Sequence, residues 1–208
     1  MKRILLPLFI FIAETGYSQF PMKSLQKTYF RIHPFDMKFS SFVLTLQNDP
    51  WFTVDTYKRR TDSTFFYLSG VYKNFNPFRY MPKELKLVLV EEEIIHSDSL
   101  QTRDTIINLQ LMGIADTGIA SKKMVEKEFK RFHSNQSDKF SNNTYKSLGG
   151  KNEITGEIYN YFISPFSIPP VTVAWGFLPG SYQYTFVIKI RFKVVQNVAV
   201  YVAGPDEL

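Results

Sequence analysis

The sequence predicts a mostly β protein, antiparallel and sandwich-like or its α+β alternative, with one amphipathic helix near residues 118–133. Three observations carry this. Apolar and polar residues alternate with a period of two along most of the chain. Clusters of turn formers recur at roughly 8–12-residue spacing, as in sandwiches and barrels. One stretch alone shows a helical period instead.

The clearest alternation is Phe186, Ile188, Ile190, Phe192 and Val194 against Val187, Lys189, Arg191 and Lys193. That is a strand with an apolar face and a cationic face. Before it, Val171, Val173, Trp175 and Phe177 face one way. Between the two lies Leu178-Pro179-Gly180-Ser181. Proline presets the first central position of a type II turn and glycine supplies the positive φ of the second. Residues 170–195 therefore read as a hairpin. The same pattern predicts strands at 27–32, 37–47, 51–58, 64–72, 84–95, 103–112, 154–163 and 197–203. Their separators include Asn48-Asp49-Pro50, Thr61-Asp62-Ser63 and Ser97-Asp98-Ser99.

The helix is read from Val125, Phe129 and Phe132, which fall at i, i+4 and i+7 and form one apolar stripe. Thr117 or Ser121 is the expected cap. Its five cations, Lys122, Lys123, Lys127, Lys130 and Arg131, outweigh Glu126 and Glu128. Such charge reads first as a solvated outer face and second as a membrane-surface helix. Residues 134–153 are polar and read as a long loop.

The N-terminus reads as a cleavable export signal over 1–18, leaving 19–208 as a single β-rich domain. Lys2 and Arg3 precede the apolar run Ile4 to Ala13, and Gly16 and Ser18 stand as small residues before Gln19. These are the three parts of a secretory signal. The run is too short to span a bilayer, which takes about 20 apolar residues. No transmembrane helix is expected after cleavage. The expected location is periplasmic or secreted.

Cysteine is absent. That removes a disulfide framework, cysteine-ligated zinc or iron–sulfur centres, and a lipid-modified cysteine. Without residues 1–18 the chain has 23 basic and 18 acidic residues, a net +5. The charges are dispersed, so no nucleic-acid partner is expected.

Motifs of catalysis do not survive inspection. Ser24-Leu25-Gln26-Lys27 has the Ser-x-x-Lys spacing but none of its companion motifs. Gly149-Gly150-Lys151 resembles a phosphate loop, but Tyr145 and Asn152 occupy its first glycine and its hydroxyl position. His33, His96 and His133 are far apart, with no metal-ligand spacing. Instead His33 reads as a turn residue before Pro34, and His133 as a favourable charge at its helix C-terminus. Glu91, Glu92 and Glu93 form the one acidic run, with Glu91 and Glu93 on one strand face. Such a pair could serve calcium or glycoside hydrolysis, but a solvated edge that deters aggregation is the simpler reading.

Aromatic residues make up 16% of the chain, including Trp51 and Trp175. They stack on sugars and peptides, and they also pack well on a pleated sheet. Tyr57, Tyr67, Tyr72, Tyr159, Tyr161, Tyr182 and Tyr184 read as strand residues. Asn135-Gln136-Ser137 and Asn142-Asn143-Thr144 are glycosylation sequons, and the terminal Asp206-Glu207-Leu208 resembles part of a lumenal retention signal.

The sequence thus points to an exported, non-catalytic domain binding a peptide, glycan or partner protein, or built into an envelope assembly. The alternatives are a secreted hydrolase acting on glycan or peptide, and a small outer-membrane barrel. No residue is singled out as catalytic or ligand-binding, no cofactor or metal is expected, and no oligomeric state follows.

Overall fold

The computed structural model describes residues 25–59, 66–95, 103–136, 141–147, 155–162, 171–178 and 181–201. The proposed export signal at 1–18 lies outside them, as do His96 and the central residues of the 178–181 turn.

Among the described residues the predicted antiparallel, mostly β architecture takes the form of one open sheet with helices layered on it. The strands are β1 (Phe52–Arg59), β2 (Phe66–Tyr72), β3 (Glu84–Ile95), β4 (Arg103–Ile114), β5 (Ser141–Ser147), β6 (Thr155–Phe162), β7 (Val171–Leu178), β8 (Gln183–Val195) and β9 (Val198–Tyr201). Their order is β1-β2-β3-β4-β8-β7-β6-β5, with β9 paired to the end of β8. Two four-stranded meanders therefore meet at β4 and β8. Helix α2 (Ile119–Gln136) connects them; α1 (Phe39–Gln47) precedes the first. The sheet does not close into a barrel. No helix among the described residues is long and apolar enough to cross a membrane.

Alternation puts every second side chain on the core face, and register lines these up across strands. One row is Leu87, Leu111, Ile188 and Val173; the next is Leu89, Leu109, Ile190 and Val171. All eight are buried. The helices seal this face. Phe132 of α2 meets Phe186 of β8, and Phe129 stacks on Tyr159 of β6 with centroids 4.8 Å apart. Phe39 of α1 meets Phe66 of β2 and Phe192 of β8.

The hairpin and most strands stand where alternation places them. Ser181 N–H donates to the Leu178 carbonyl at 3.3 Å, closing the turn between β7 and β8. Three expectations are corrected. The strand expected at 37–47 is instead helix α1 over Phe39–Gln47. Phe39, Phe42, Val43 and Leu46 lie at i, i+3, i+4 and i+7, and that stripe outweighs the β propensity of its aromatic and branched residues. Residues 25–29 are helical and overlap the strand expected at 27–32, with Leu25 and Tyr29 buried one turn apart. The long loop expected at 134–153 contains the end of α2 and the edge strand β5.

The sequence helix is present, over Ile119–Gln136. Gly118, at φ +108°, precedes it, and its carbonyl accepts the first helical bond from Lys122 N–H. Neither Thr117 nor Ser121 occupies the cap position.

Candidate functional site

Three places gather chemistry. The first is an open cleft of about 560 Å³, lined by Arg31, Ile32, Leu44, Thr45, Asn48, Asp49 and Pro50. It forms where the segment before α1 passes the C-terminal end of that helix. Asp49 and Pro50 turn the chain into β1. The Asp49 carboxylate accepts the Trp51 backbone N–H at 3.0 Å, an Asx turn, and Arg31 Nε at 2.8 Å. The Asp49 side chain is almost fully buried while that of Arg31 is 34% exposed. The guanidinium also lies over the Trp51 ring, 3.9 Å from its centroid. Tyr72 is buried nearby with no hydrogen-bond partner for its hydroxyl. Burial pushes its pKa far above the tyrosine range, the Asp49 charge adds to this, and Arg31 opposes it.

The second is a polar knot under α2. The buried Glu128 carboxylate accepts Arg131 Nε at 3.2 Å, Arg131 Nη2 at a shorter distance, and the Arg79 backbone N–H at 3.3 Å. Arg131 also donates to the Tyr29 hydroxyl at 3.3 Å. The carboxylate bond raises the Arg131 pKa, and burial raises those of Tyr29 and Tyr161. A charge this enclosed is held by its partners. It reads as a clamp between helix and core.

The third is the sheet face that no described helix covers. Rows cross it in register: Ser69, Val88, Gln110, Lys189, Thr172 and Asn160, beside Val71, Lys86, Met112, Val187, Ala174 and Ile158. Most of these are half-buried rather than sealed. Arg191 Nη1 donates to Thr172 Oγ1 at 3.1 Å, and Thr172 donates to Asn160 Oδ1 at 2.8 Å. A cation, a hydroxyl and an amide are thereby oriented across β8, β7 and β6.

The residues considered from sequence are not brought together. His33 lies before the helical turn Pro34–Asp36, its Nδ1 3.4 Å from Asp36 Oδ2. His133 sits in the last turn of α2, stacked on Tyr159 and 3.1 Å from the Tyr161 hydroxyl. Glu91, Glu92 and Glu93 pair with β4, beyond the last β2–β3 pair at Tyr67 and Val90. Among the described residues no group of three His, Asp or Glu is placed to hold a metal. Trp175 is buried, and Trp51 is under Arg31. Sequence reasoning passed over Arg31, Thr172 and Asn160. The turn signal at Asn48-Asp49-Pro50 marked the place of Asp49, but nothing linear links it to Arg31.

No protein-family model matches the chain, and neither a curated protein nor a solved structure matches it.

Proposed function

We propose that the chain is an exported, non-catalytic binding domain whose uncovered sheet face docks an acidic patch of a partner protein. The observation that carries this reading is the asymmetry of the sheet: helices seal one face, and the other keeps an ordered mixed surface. That surface joins an apolar row, rich in valine with Met112 and Ile158, to a polar one. Lys86, Lys189, Arg191 and Lys193 share it, with Glu84 the acidic counterpart whose side chain is described. Apolar area with arginine and methionine is the composition of interface centres. Cationic groups around it favour an acidic partner and speed encounter. Sugar stacking fits less well, because among the strand residues whose side chains are described Tyr67 is the one aromatic on this face, and the other strand rings are turned to the helical side. The two most enclosed carboxylates among the described residues, Asp49 and Glu128, are each taken up by an arginine, which favours binding over hydrolysis.

The test places a photo-crosslinker at Val88 or Gln110 and, as control, at Lys123 on the outer side of α2. Proteins crosslinked from the face alone are purified and measured against wild type and Lys189→Glu. The reading expects an acidic protein whose binding weakens with salt and is lost on charge reversal. Equal crosslinking from both surfaces overturns it, as does binding of anionic polysaccharide with no protein captured. Export is tested by sequencing the N-terminus of the protein recovered outside the cytoplasm. A start at Gln19 is expected, and an uncleaved cytoplasmic chain refutes export.

A further inference from the structure

We infer that the Arg31 cleft is a binding site for a carboxylate carried on a small apolar body. It lies on the helical side of the molecule, so it stands independently of the open sheet face. The guanidinium has five N–H donors in a fixed fork. Nε is held by Asp49 at 2.8 Å, and one face of the plane is held by Trp51. The two Nη groups donate to no other described residue, and the side chain lines a cleft of about 560 Å³. Arg31 is therefore oriented by two contacts that leave its terminal donors available. Paired donors in one plane suit a carboxylate, which they bind in bidentate fashion.

The walls set the rest of the ligand. Ile32, Leu44 and Pro50 give apolar surface, and Leu44 is 60% exposed although its neighbours Val43 and Leu46 are buried. Thr45 and Asn48 give polar groups beside it. The volume falls within the range of small-molecule sites, about 300–1,000 Å³. Because both Asp49 oxygens are already engaged, Asp49 orients Arg31 rather than receiving a ligand itself. An aliphatic acid and the C-terminus of a short peptide share this chemistry.

The test titrates the full chain with N-acetylleucine and with its neutral amide, followed by chemical shifts of residues 31–51. The acid is expected to bind and the amide to bind at least about tenfold more weakly, a difference of about 1.4 kcal/mol. Arg31→Lys keeps the charge but loses the fork, and is expected to weaken the acid by a similar factor. Leu44→Glu, at an exposed position that does not threaten folding, is expected to abolish binding by repulsion. A leucine-terminated tripeptide separates the two sources: tighter binding than the single residue identifies a peptide terminus, and weaker binding a free acid. Equal binding of acid and amide overturns the inference. So does no binding of either, or acid binding that survives Leu44→Glu.

Discussion

Helix α1 is capped from the far end of the chain, and removing that cap should measurably loosen the fold. Lys38, the residue before α1, offers no side-chain cap. Asn197, in the turn between β8 and β9, takes its place. Its carbonyl accepts Phe39 N–H, its Oδ1 accepts Ser40 N–H, and its Nδ2 donates to Ser40 Oγ, each at 2.8 Å. It does so at φ +66°, in the left-handed region that asparagine tolerates better than most residues. Asn197→Gly keeps that backbone and removes only the side-chain bonds, at about 1 kcal/mol for a lost cap. Asn197→Ala loses the same bonds and adds the left-handed cost of a β-carbon, a further 1–2 kcal/mol or so. Asn197→Asp retains the acceptor and puts a negative charge at the helix N-terminus, which offsets the lost donor by roughly 0.3–1 kcal/mol. Urea unfolding followed by circular dichroism should rank wild type and Asp together, then Gly, then Ala, with unchanged slope. For a chain of this length each kcal/mol lowers the melting temperature by about 2–4 °C. If Gly matches wild type, the cap contributes nothing; if Ala matches Gly, the left-handed geometry is not maintained in solution. Either result refutes the argument.

Glu128→Gln breaks the buried pair with Arg131 and should cost about 3 kcal/mol, whereas Lys130→Ala, which removes the exposed pair with Glu126, should stay within about 0.5 kcal/mol; paired melts of the two variants check this. Gly113→Ala should destabilise by more than an ordinary surface change, because its β-carbon would collide with the Tyr80 hydroxyl and the Phe78 ring, and the same collision should break the 2.6 Å bond from Tyr80 to the Gly113 carbonyl; denaturant midpoints measure it. At high pH, the burial of Tyr29, Tyr72, Tyr80 and Tyr161 holds each pKa above that of the unfolded chain. Their contribution is therefore complete below about pH 10 and is lost as pH rises beyond it, by up to about 1.4 kcal/mol per unit for each ring. Tyrosinate absorbance from these rings should appear together with unfolding, and its appearance in a still-folded chain would contradict their burial.

The strands were legible because half-buried antiparallel strands write their burial into alternation: the run from Phe186 to Val194 gave β8, and the acidic end of β3 did not obscure Leu85, Leu87 and Leu89. The helix α2 was legible because its stripe is bounded by charges. The α1 helix was misread because Phe39, Phe42 and Val43 suit a strand by propensity, and its cap lies 157 residues from Ser40, where no local signal reaches. The same limit hid the Arg31 cleft. Asp49 sits in a legible turn, but the arginine that occupies it is 18 residues upstream, and the pairing depends on how two elements cross. Asn160, Thr172 and Arg191 come from three strands, so only register, which the sequence does not write, brings them together.

The high aromatic content takes on a different meaning once the rings are placed. It invited a surface that stacks on sugar, yet the rings are largely spent joining helices to sheet. Tyr29 meets Phe78 and Phe132, Phe132 meets Tyr161 and Phe186, and Phe78 stacks on Tyr80 with its edge to Phe186. A chain without cysteine gains rigidity from such wide contacts, each bringing large buried area and a preferred geometry. The consequence runs to function. With most rings turned inward under α1 and α2, the outward face holds β-branched residues, amides and cations, with Tyr67 on β2 as its described aromatic. Shape, hydrogen bonds and charge dominate such a surface, which favours an acidic partner over a stacked sugar.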